Sequence, residues 1–251
     1  MSDHKVTALV TGASAGLGAE FCRQLAQRCD VIIAVARRPD RLEALAQELA
    51  GSAEVHVLEA DLGTVEGVTR TMEMLRQKGP VDFLVNNAGF STFGNFSDLA
   101  IDSQRDMVSL HVDAAITLCR AAIPFMEELG AGTVINVSSL AALAPGKGLA
   151  VYGAAKAFLN YYSQALQAEL SGTGIEVQAL CPGYIRTEFH DSMSKAGVDR
   201  ERVPPQMWMD AGEVVSESLA ALGSGQVIVV PGEDNRAMAR MAMEQQAALL
   251  Q

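Results

Sequence analysis

Residues 5–18 read Lys5-Val-Thr-Ala-Leu-Val-Thr-Gly12-Ala-Ser-Ala-Gly16-Leu-Gly18. The first half is short, apolar and rich in β-branched side chains, which predicts a buried strand, and a helical pattern follows as far as Arg28. The glycines therefore lie in a turn between a strand and a helix, where backbone N–H groups can receive a pyrophosphate. Their spacing is G-x-x-x-G-x-G, and a tight turn without a ligand is the alternative.

The alternation of strand and helix patterns continues along the chain. Further strand-like runs cover residues 31–36, 54–58, 81–85, 175–180 and 226–230, with helical stretches between them. This order predicts βαβ units. The chain has 251 residues, of which 49% are hydrophobic, so we expect one α/β domain over residues 1–251. Its predicted fold is a single Rossmann-type, doubly wound parallel sheet of about seven strands with helices on both faces.

The second predicted strand, Val31–Ala36, is followed by Arg37 and Arg38. A dinucleotide with a free ribose 2′-hydroxyl usually meets an acidic residue in this region. Guanidinium groups instead suit a 2′-phosphate, through charge and bidentate geometry, and the Ser14 hydroxyl would add a donor. We therefore predict NADP(H) rather than NAD(H) as the cofactor. The alternative is that Arg38 and Arg41 are solvated charges at the start of the next helix.

Two further strand ends carry polar or small residues. Asp61-Leu62 follows the third strand and would border the adenine, although Asp61 could equally lie in the cap region of the next helix. Asn86-Asn87-Ala88-Gly89 follows the fourth strand and suits close approach of the backbone to a ribose, although a plain turn has the same pattern. In this fold, ligands bind outside the carboxyl ends of the strands, so both are candidate cofactor contacts.

Ser139, Tyr152 and Lys156 form the candidate reaction centre. In a helix that begins near Tyr152, the phenol and the Lys156 ammonium lie at i and i+4 on one face. The positive charge is expected to favour the phenolate and to lower the pKa of Tyr152 toward working pH. Such a phenol can protonate a carbonyl oxygen and take the proton back, while Ser139 donates a second hydrogen bond to that oxygen. Taken alone, the Tyr–Lys pair is also typical of a solvated helix face.

Together with Pro182-Gly183-Tyr184-Ile185-Arg186-Thr187, these motifs have an order and spacing that resemble the short-chain dehydrogenase/reductase family. The resemblance runs from about Lys5 to Thr187. The sequence around Arg37 and Arg38 and the sequence after Gly89 are most similar to a bacterial, NADP-preferring, ketoreductase-like branch. It implies an NADP(H)-dependent oxidoreductase that interconverts a ketone or aldehyde and an alcohol.

The resemblance also implies a role for each matched position. Tyr152 would be the acid/base, Lys156 would lower its pKa and bind the nicotinamide ribose, and Ser139 would orient the substrate carbonyl. The motifs and the resemblance together give a predicted cofactor-binding set of Gly12, Ser14, Gly16, Leu17, Gly18, Arg37, Arg38, Asp61, Leu62, Asn87, Ala88, Gly89, Tyr152, Lys156, Pro182, Gly183, Ile185 and Thr187.

One position departs from the family pattern. The family usually has an asparagine whose main-chain carbonyl holds a water beside the lysine, and this sequence has His111 there. A main-chain carbonyl survives any substitution, and a histidine, with a reference pKa near 6.5, could itself join a proton relay. His111 is therefore a fourth candidate catalytic residue, and simple packing between helices is the alternative.

The segment 184–212 has no clean periodicity, contains Pro204-Pro205 and is rich in aromatic and methionine side chains. Its place at the substrate end predicts a lid over an apolar pocket. We expect a neutral, fairly hydrophobic ketone, aldehyde or secondary alcohol as substrate, although half of these side chains could simply pack the lid onto the body. The candidate pocket residues are Phe90, Phe93, Leu140, Leu143, Tyr184, Phe189 and Trp208.

Composition argues against several classes of protein. The formal net charge of −11 and the pI of about 4.8 argue against nucleic-acid binding and attraction to anionic membranes. The polar first residues and the lack of a long uncharged apolar run predict neither a secretory signal nor a membrane span. The four cysteines have no C-x-x-C spacing and only four histidines occur, which predicts reduced thiols, a cytoplasmic location and no metal site.

A methionine- and alanine-rich helix is predicted over about 234–250. The family resemblance implies a homo-oligomer, either a dimer or a tetramer. Two competing functions remain open: an epimerase-type enzyme on the same scaffold, and a catalytically weakened NADP(H)-binding regulatory protein, which His111 motivates. Oxidation of NADPH by a carbonyl compound separates both from the leading prediction.

Overall fold

A parallel sheet forms the centre of the computed structural model, which describes residues 4–189 and 203–250. The strands are β1 (Thr7–Thr11), β2 (Val31–Ala36), β3 (Glu54–Glu59), β4 (Phe83–Asn86), β5 (Gly132–Val137), β6 (Ile175–Leu180), β7 (Tyr184–Ile185), β8 (Trp208–Met209) and β9 (Ile228–Val229). Within the described residues, seven of them pair in parallel in the order β3-β2-β1-β4-β5-β6-β9, and β7 pairs separately with β8. The predicted doubly wound sheet is confirmed.

Helices cover both faces of this sheet. They are α1 (Gly16–Leu25), α2 (Pro39–Leu49), α3 (Val65–Lys78), α4 (Ile101–Val108), α5 (Ala114–Leu129), α6 (Ala150–Glu169), α7 (Ala211–Ala220) and α8 (Glu233–Ala248). On one face α1, α2 and α7 bury a cluster that includes Phe21, Leu42 and Val215. On the other face α3 and α5 bury Leu75 and Leu118. Strand β2, buried at every position, is uniformly apolar because both of its faces are covered.

The strand order reverses between β1 and β4, which are neighbours in the sheet but not in the sequence. In an open α/β sheet, such a switch point leaves a crevice at the carboxyl ends of the strands, where ligands bind. β1 ends at Thr11, β4 at Asn86, β5 at Val137 and β6 at Leu180. The glycine turn, Asn87, Ser139 and Pro182 follow just after these strand ends, so the fold collects them at one edge.

The helical run from Ile101 to Leu129 combines α4, a π-helical turn at Ser109–Asp113 and α5. By length and composition it is the one candidate membrane span among the described residues. This is weak evidence, because a helix that packs on the core of a sheet passes the same test. Leu118 and Cys119 of this run are buried in the core cluster, so its apolar composition has a packing explanation.

The predicted lid at 184–212 is described only at its two ends, because residues 190–202 lie outside the described residues. These ends meet in the β7–β8 pair, in which Tyr184 is the partner of Trp208 and Ile185 that of Met209. The centroids of the Tyr184 and Trp208 rings are 5.3 Å apart. The two ends of the segment are therefore held together beside the body of the protein.

Gly18, in the first turn of α1, lies against the turn that follows β1. A Cβ atom at this position would lie 2.2 Å from the Gly12 carbonyl oxygen and 2.6 Å from Asn87 Nδ2. A backbone oxygen cannot move aside as the end of a flexible side chain can. Gly18, predicted as a cofactor contact, therefore serves the close packing of helix and strand that the third glycine of such turns allows.

Gly18→Ala should lower the free energy of unfolding by about 1–3 kcal/mol, because the added methyl group overpacks this junction. Gly51→Ala is the matched control, since a Cβ atom at Gly51 meets no atom within 4 Å. Its effect should stay within about 0.5 kcal/mol. Urea unfolding measures both, and wild-type stability for Gly18→Ala would contradict the described packing.

Candidate active site

A cavity of about 390 Å³ follows the carboxyl edge of the sheet. Arg37 and Arg38 border one end of it, and Tyr152 and Phe189 border the other. Ser139 and every predicted cofactor-binding residue apart from Gly18 line this cavity. That set comprises Gly12, Ser14, Gly16, Leu17, Arg37, Arg38, Asp61, Leu62, Asn87, Ala88, Gly89, Tyr152, Lys156, Pro182, Gly183, Ile185 and Thr187.

The glycine turn forms the floor of the cavity. Gly12 and Gly16 have φ angles of +67° and +54°, a backbone conformation that side chains disfavour. A Cβ atom at Gly12 would lie 2.7 Å from Asn87 Nδ2, and one at Gly16 would lie 3.3 Å from Thr187 Cγ2. Helix α1 begins here with no acidic residue in its first turn and no side-chain cap. Its free N–H groups and positive dipole end fit a pyrophosphate.

Hydrogen bonds join this turn to the end of β4. The Thr11 hydroxyl oxygen accepts from the backbone N–H groups of Asn87 and Ala88, each at 2.9 Å, and donates to the Val85 carbonyl at 3.2 Å. The Asn87 amide donates to the Thr11 carbonyl at 2.8 Å. Asn87 thus lines the cavity and also ties the turn after β1 to the end of β4.

The basic end of the cavity is partly paired with acidic groups. Arg38 donates from Nε and Nη2 to Ser14 Oγ at 3.2 and 3.1 Å. The Ser14 oxygen therefore accepts from Arg38, and its hydroxyl proton is available to donate to a ligand. Arg38 Nη1 also lies 2.9 Å from Glu188 Oε2. Arg37 Nη1 is 4.0 Å from Asp61 Oδ2 and its side chain is largely exposed. The cationic groups therefore face the cavity and the solvent.

Asp61 borders the cavity and does not cap the following helix. The N-cap of α3 is Thr64, whose hydroxyl accepts from the Gly67 backbone N–H at 3.0 Å. The Asp61 side chain accepts from the Gly63 backbone N–H at 3.0 Å. Asp61 nevertheless lies in the cap region of α3, because its carbonyl accepts from the Thr64 backbone N–H at 3.1 Å and from the Thr64 hydroxyl at 2.8 Å, while the residue also borders the cavity.

Tyr152 and Lys156 project from α6 into the interior, with exposed fractions of 8% and 4%. Lys156 Nζ donates to the Val137 carbonyl at 2.7 Å, and Ser138 Oγ donates to the Lys156 carbonyl at 2.9 Å. Ser139 caps the short 3₁₀ turn that follows β5, and its Oγ accepts from the Ala141 backbone N–H. The burial of both side chains contradicts the solvated-face interpretation.

Burial dominates the titration of this centre. It raises the pKa of Tyr152 to about 12, against the opposing effect of a hydrogen bond with Ser139, and it lowers the pKa of Lys156 to about 7. The prediction that Lys156 lowers the pKa of Tyr152 is wrong for the protein alone. The reason is that a dry environment disfavours phenolate and ammonium alike, and Lys156 Nζ lies 5.9 Å from the Tyr152 ring centroid. Tyr152 therefore stands as a protonated hydrogen-bond donor.

His111 lies in the π-helical turn between α4 and α5 and is 2% exposed. Its Nε2 accepts the Phe90 backbone N–H at 3.1 Å. Burial, then the charge of Lys156, lowers the pKa of His111 well below its usual value. The ring is thus neutral, and its Nδ1 has no hydrogen-bond partner among the described residues.

The surroundings of His111 combine packing with contact to the reaction centre. Its ring centroid is 5.8 Å from that of Tyr152 and 6.3 Å from that of Phe90, both in edge-on geometry. With Lys156 it borders a second, small cavity of about 10 Å³, close to the volume that one water needs. His111 therefore packs and positions the Phe90 backbone, while its relay role stays a prediction.

The predicted substrate pocket is only partly assembled. Phe90 and Phe189 border the main cavity, and the Phe189 ring centroid is 6.1 Å from that of Tyr152. The other predicted pocket residues pack elsewhere. Phe93 packs so closely on Gly148 that a Cβ atom there would clash with its ring. Leu140 and Leu143 join a core cluster with Cys181. Tyr184 and Trp208 pack on each other.

Several residues that border the cavity were not predicted. Most of them adjoin a predicted motif and could have been found by extending it to the strand end, namely Ala15, Val35, Ala36, Ala60, Val137 and Ser138. Leu110 and Glu188 are different. Leu110 lies in the π-helical turn Ser109–Asp113, which the sequence pattern did not predict, and Glu188 carries no local signal beyond its position after Thr187.

Comparison with known proteins agrees with this geometry. The family model described as short chain dehydrogenase matches residues 6–197. The chain belongs to the short-chain dehydrogenase/reductase family. An uncharacterized oxidoreductase of Staphylococcus epidermidis is 31% identical to it over 205 residues, which cover 81% of this chain and 87% of the relative.

Two solved structures extend the similarity to the whole fold. A short-chain dehydrogenase from Sphingobium yanoikuyae in complex with NADPH is 32% identical, with a TM-score of 0.85, and the match covers 98% of this chain and 94% of that one. The bulky-bulky ketone specific alcohol dehydrogenase from Comamonas testosteroni is 29% identical, with a TM-score of 0.80 and coverages of 97% and 94%. This chain is an oxidoreductase of the short-chain dehydrogenase/reductase family, which confirms the resemblance that the sequence motifs indicated.

The buried His111 of this short-chain dehydrogenase/reductase should make the protein sensitive to acid. Its folded-state pKa is depressed, so below about pH 6.5 the unfolded chain binds a proton that the folded protein does not. Wild-type stability relative to His111→Asn should therefore fall with decreasing pH, by up to about 1.4 kcal/mol per pH unit below pH 6.5. Urea unfolding of both proteins at pH 7.5, 6.0 and 5.0 measures the difference, and parallel pH curves would show that the ring protonates freely.

Proposed function

We propose that this short-chain dehydrogenase/reductase is an NADP(H)-dependent carbonyl reductase that interconverts a ketone or aldehyde and an alcohol. One observation carries the proposal: a single cavity joins Arg37 and Arg38 at one end to Tyr152 at the other, across the glycine turn. A dinucleotide with a 2′-phosphate has the matching sequence of groups, with a phosphorylated ribose, a pyrophosphate and a reactive ring. The relative from Sphingobium yanoikuyae, whose structure is a complex with NADPH, supports this assignment.

The residues that would hold the cofactor fit its chemistry. Arg37, Arg38 and the Ser14 hydroxyl offer charge and hydrogen bonds to a 2′-phosphate. The turn from Gly12 to Gly16 leads into the uncapped start of α1, whose N–H groups can receive a pyrophosphate. When bound, the reduced nicotinamide supplies the hydride, and the protein supplies position and proton.

Proton delivery falls to Tyr152. Because burial raises its pKa to about 12, the phenol carries its proton through the neutral range and can donate it to a carbonyl oxygen. Ser139 would donate a second hydrogen bond to the same oxygen. Lys156 has a pKa of about 7, so its Nζ gains and loses a proton near neutral pH. It is therefore suited to return a proton to the reaction centre after Tyr152 has donated one.

The walls beside Tyr152 favour a neutral, fairly hydrophobic substrate. Phe90 and Phe189 border this end of the cavity, and Lys156 is the one cationic side chain that the described residues place there. An apolar wall on which the described residues place no clamp for a carboxylate or phosphate suits a ketone with bulky groups. The Comamonas testosteroni relative, named as specific for bulky-bulky ketones, supports this choice. A homo-oligomeric state and a cytoplasmic location stay predictions.

The proposal is tested by following the oxidation of NADPH and NADH side by side with a panel of apolar ketones, diketones and aldehydes. We expect turnover with NADPH and much less with NADH. Tight NADPH binding without turnover of any carbonyl would instead favour the regulatory alternative, with His111 as the disabling residue. Conversion of a substrate without net oxidation or reduction would favour an epimerase-type reaction.

Tyr152→Phe should lower kcat/KM at least about 100-fold, because it removes the positioned proton donor. The Kd for NADPH should change less than about threefold, since the phenylalanine ring fills the same space. Tyr161→Phe on the same helix is the matched control, because Tyr161 is 78% exposed, and it should retain full activity. Initial rates and fluorescence titration with NADPH measure both effects. Retained activity in Tyr152→Phe would remove the assigned proton donor.

A further inference from the structure

The Glu188 carboxylate pairs with Arg38, which borders the basic end of the cavity, and with the nearby Arg41. Its Oε2 is 2.9 Å from Arg38 Nη1, and its Oε1 is hydrogen-bonded to Arg41 Nη1. These contacts join positions 150 and 147 residues apart in the sequence. All three side chains are about half exposed, and Glu188 borders the cavity directly. A carboxylate therefore occupies donors that would also serve a bound phosphate.

We propose that Glu188 is a specificity-determining residue that competes with the cofactor 2′-phosphate for Arg38 and Arg41. The inference rests on the proposed use of NADP(H), and it concerns how strongly this chain discriminates NADP(H) from NAD(H). Glu188 holds the arginine pair. A 2′-phosphate must displace the carboxylate, whereas a 2′-hydroxyl leaves it in place.

Charge and geometry explain the competition. Arg38 donates from Nε and Nη2 to Ser14, so Nη1 is the guanidinium nitrogen that Ser14 leaves open to an anion, and one of its two N–H groups already points at Glu188. A ribose phosphate carries between one and two negative charges near neutral pH. If the carboxylate stayed beside it, the two anions would repel each other. A 2′-hydroxyl, in contrast, can donate a hydrogen bond to a carboxylate.

The carboxylate is charged under the conditions that matter. Hydrogen bonds from Arg38 and then Arg41 hold the pKa of Glu188 below its usual range. The other acidic group that borders this end, Asp61, lies 4.0 Å from Arg37 and does not contact Arg38 or Arg41 among the described residues. Glu188 is thus the acidic side chain whose removal frees the pair, and its loss should raise the preference for a 2′-phosphate.

The test measures binding of two cofactor fragments to the full chain by isothermal titration calorimetry. Adenosine 2′,5′-bisphosphate carries the 2′-phosphate, and adenosine 5′-monophosphate lacks it. Glu188→Gln, which keeps the shape and removes the charge, should bind the bisphosphate about 3- to 10-fold more tightly than wild type, as expected for the release of two exposed ion pairs. Its affinity for the monophosphate should change less than about twofold.

Two further variants separate charge from other effects. Glu48→Gln removes a carboxylate that pairs with Arg23 and does not border the cavity, and it should bind both fragments as wild type does. Glu188→Asp keeps the negative charge but shortens the side chain, so its gain in bisphosphate affinity should be smaller than that of Glu188→Gln. A gain in Glu188→Asp without a gain in Glu188→Gln would mean that side-chain bulk, not charge, opposes the phosphate, and would overturn the proposal.

The outcomes distinguish this proposal from the proposed function. If wild type prefers the bisphosphate and Glu188→Gln binds it no more tightly, the competition is refuted while the NADP(H) assignment stands. If neither protein distinguishes the two fragments, the arginines are not a phosphate site and both proposals fail. A selective gain for the bisphosphate in Glu188→Gln, with Glu48→Gln unchanged, supports the competition.

Discussion

The site depends on the close approach of the turn after β1 to the end of β4. Asn87 Nδ2 donates to the Thr11 carbonyl at 2.8 Å, and the space that a Cβ atom at Gly12 would need is already taken by that same amide. Because the two strands are parallel neighbours at the point where the strand order reverses, this contact sets the floor of the cavity. The glycines, the free start of α1 and the alignment of the later strand ends all follow from it.

The interior that builds the cavity also sets its proton chemistry. Burial opposes charge on Tyr152 and on Lys156 at once, so the pKa of the phenol rises to about 12 while that of the ammonium falls to about 7. Burial therefore favours the protonated phenol and the uncharged amine, so Tyr152 can serve as the proton donor and Lys156 as the group that exchanges a proton with it. The buried, neutral ring of His111 belongs to the same dry region. It also fixes the Phe90 backbone at the cavity wall through a hydrogen bond.

Much of the architecture was predictable because its signals are local. Apolar β-branched runs predicted the strands, and residues just after a strand end are bound to lie at the edge of the sheet. Contacts between distant segments were not predictable in this way. Glu188 reaches Arg38 across 150 positions, and Leu140 and Leu143 turn into a core cluster with Cys181 instead of facing the substrate, because a short 3₁₀ turn follows Ser139. The charge of Lys156 suggested a lowered pKa for Tyr152. The burial of Tyr152, which the sequence does not reveal, has the larger effect on that pKa.

The most direct test of the account is the affinity of the double variant Arg37→Ala/Arg38→Ala for NADPH and for NADH, measured by fluorescence titration. Charge-assisted hydrogen bonds to a phosphate are worth about 1.5–3 kcal/mol each, so the Kd for NADPH should rise at least about 10-fold. The Kd for NADH should change less than about threefold, because its ribose makes no such contact. An equal loss for both cofactors would contradict the assignment of the basic end of the cavity to a 2′-phosphate.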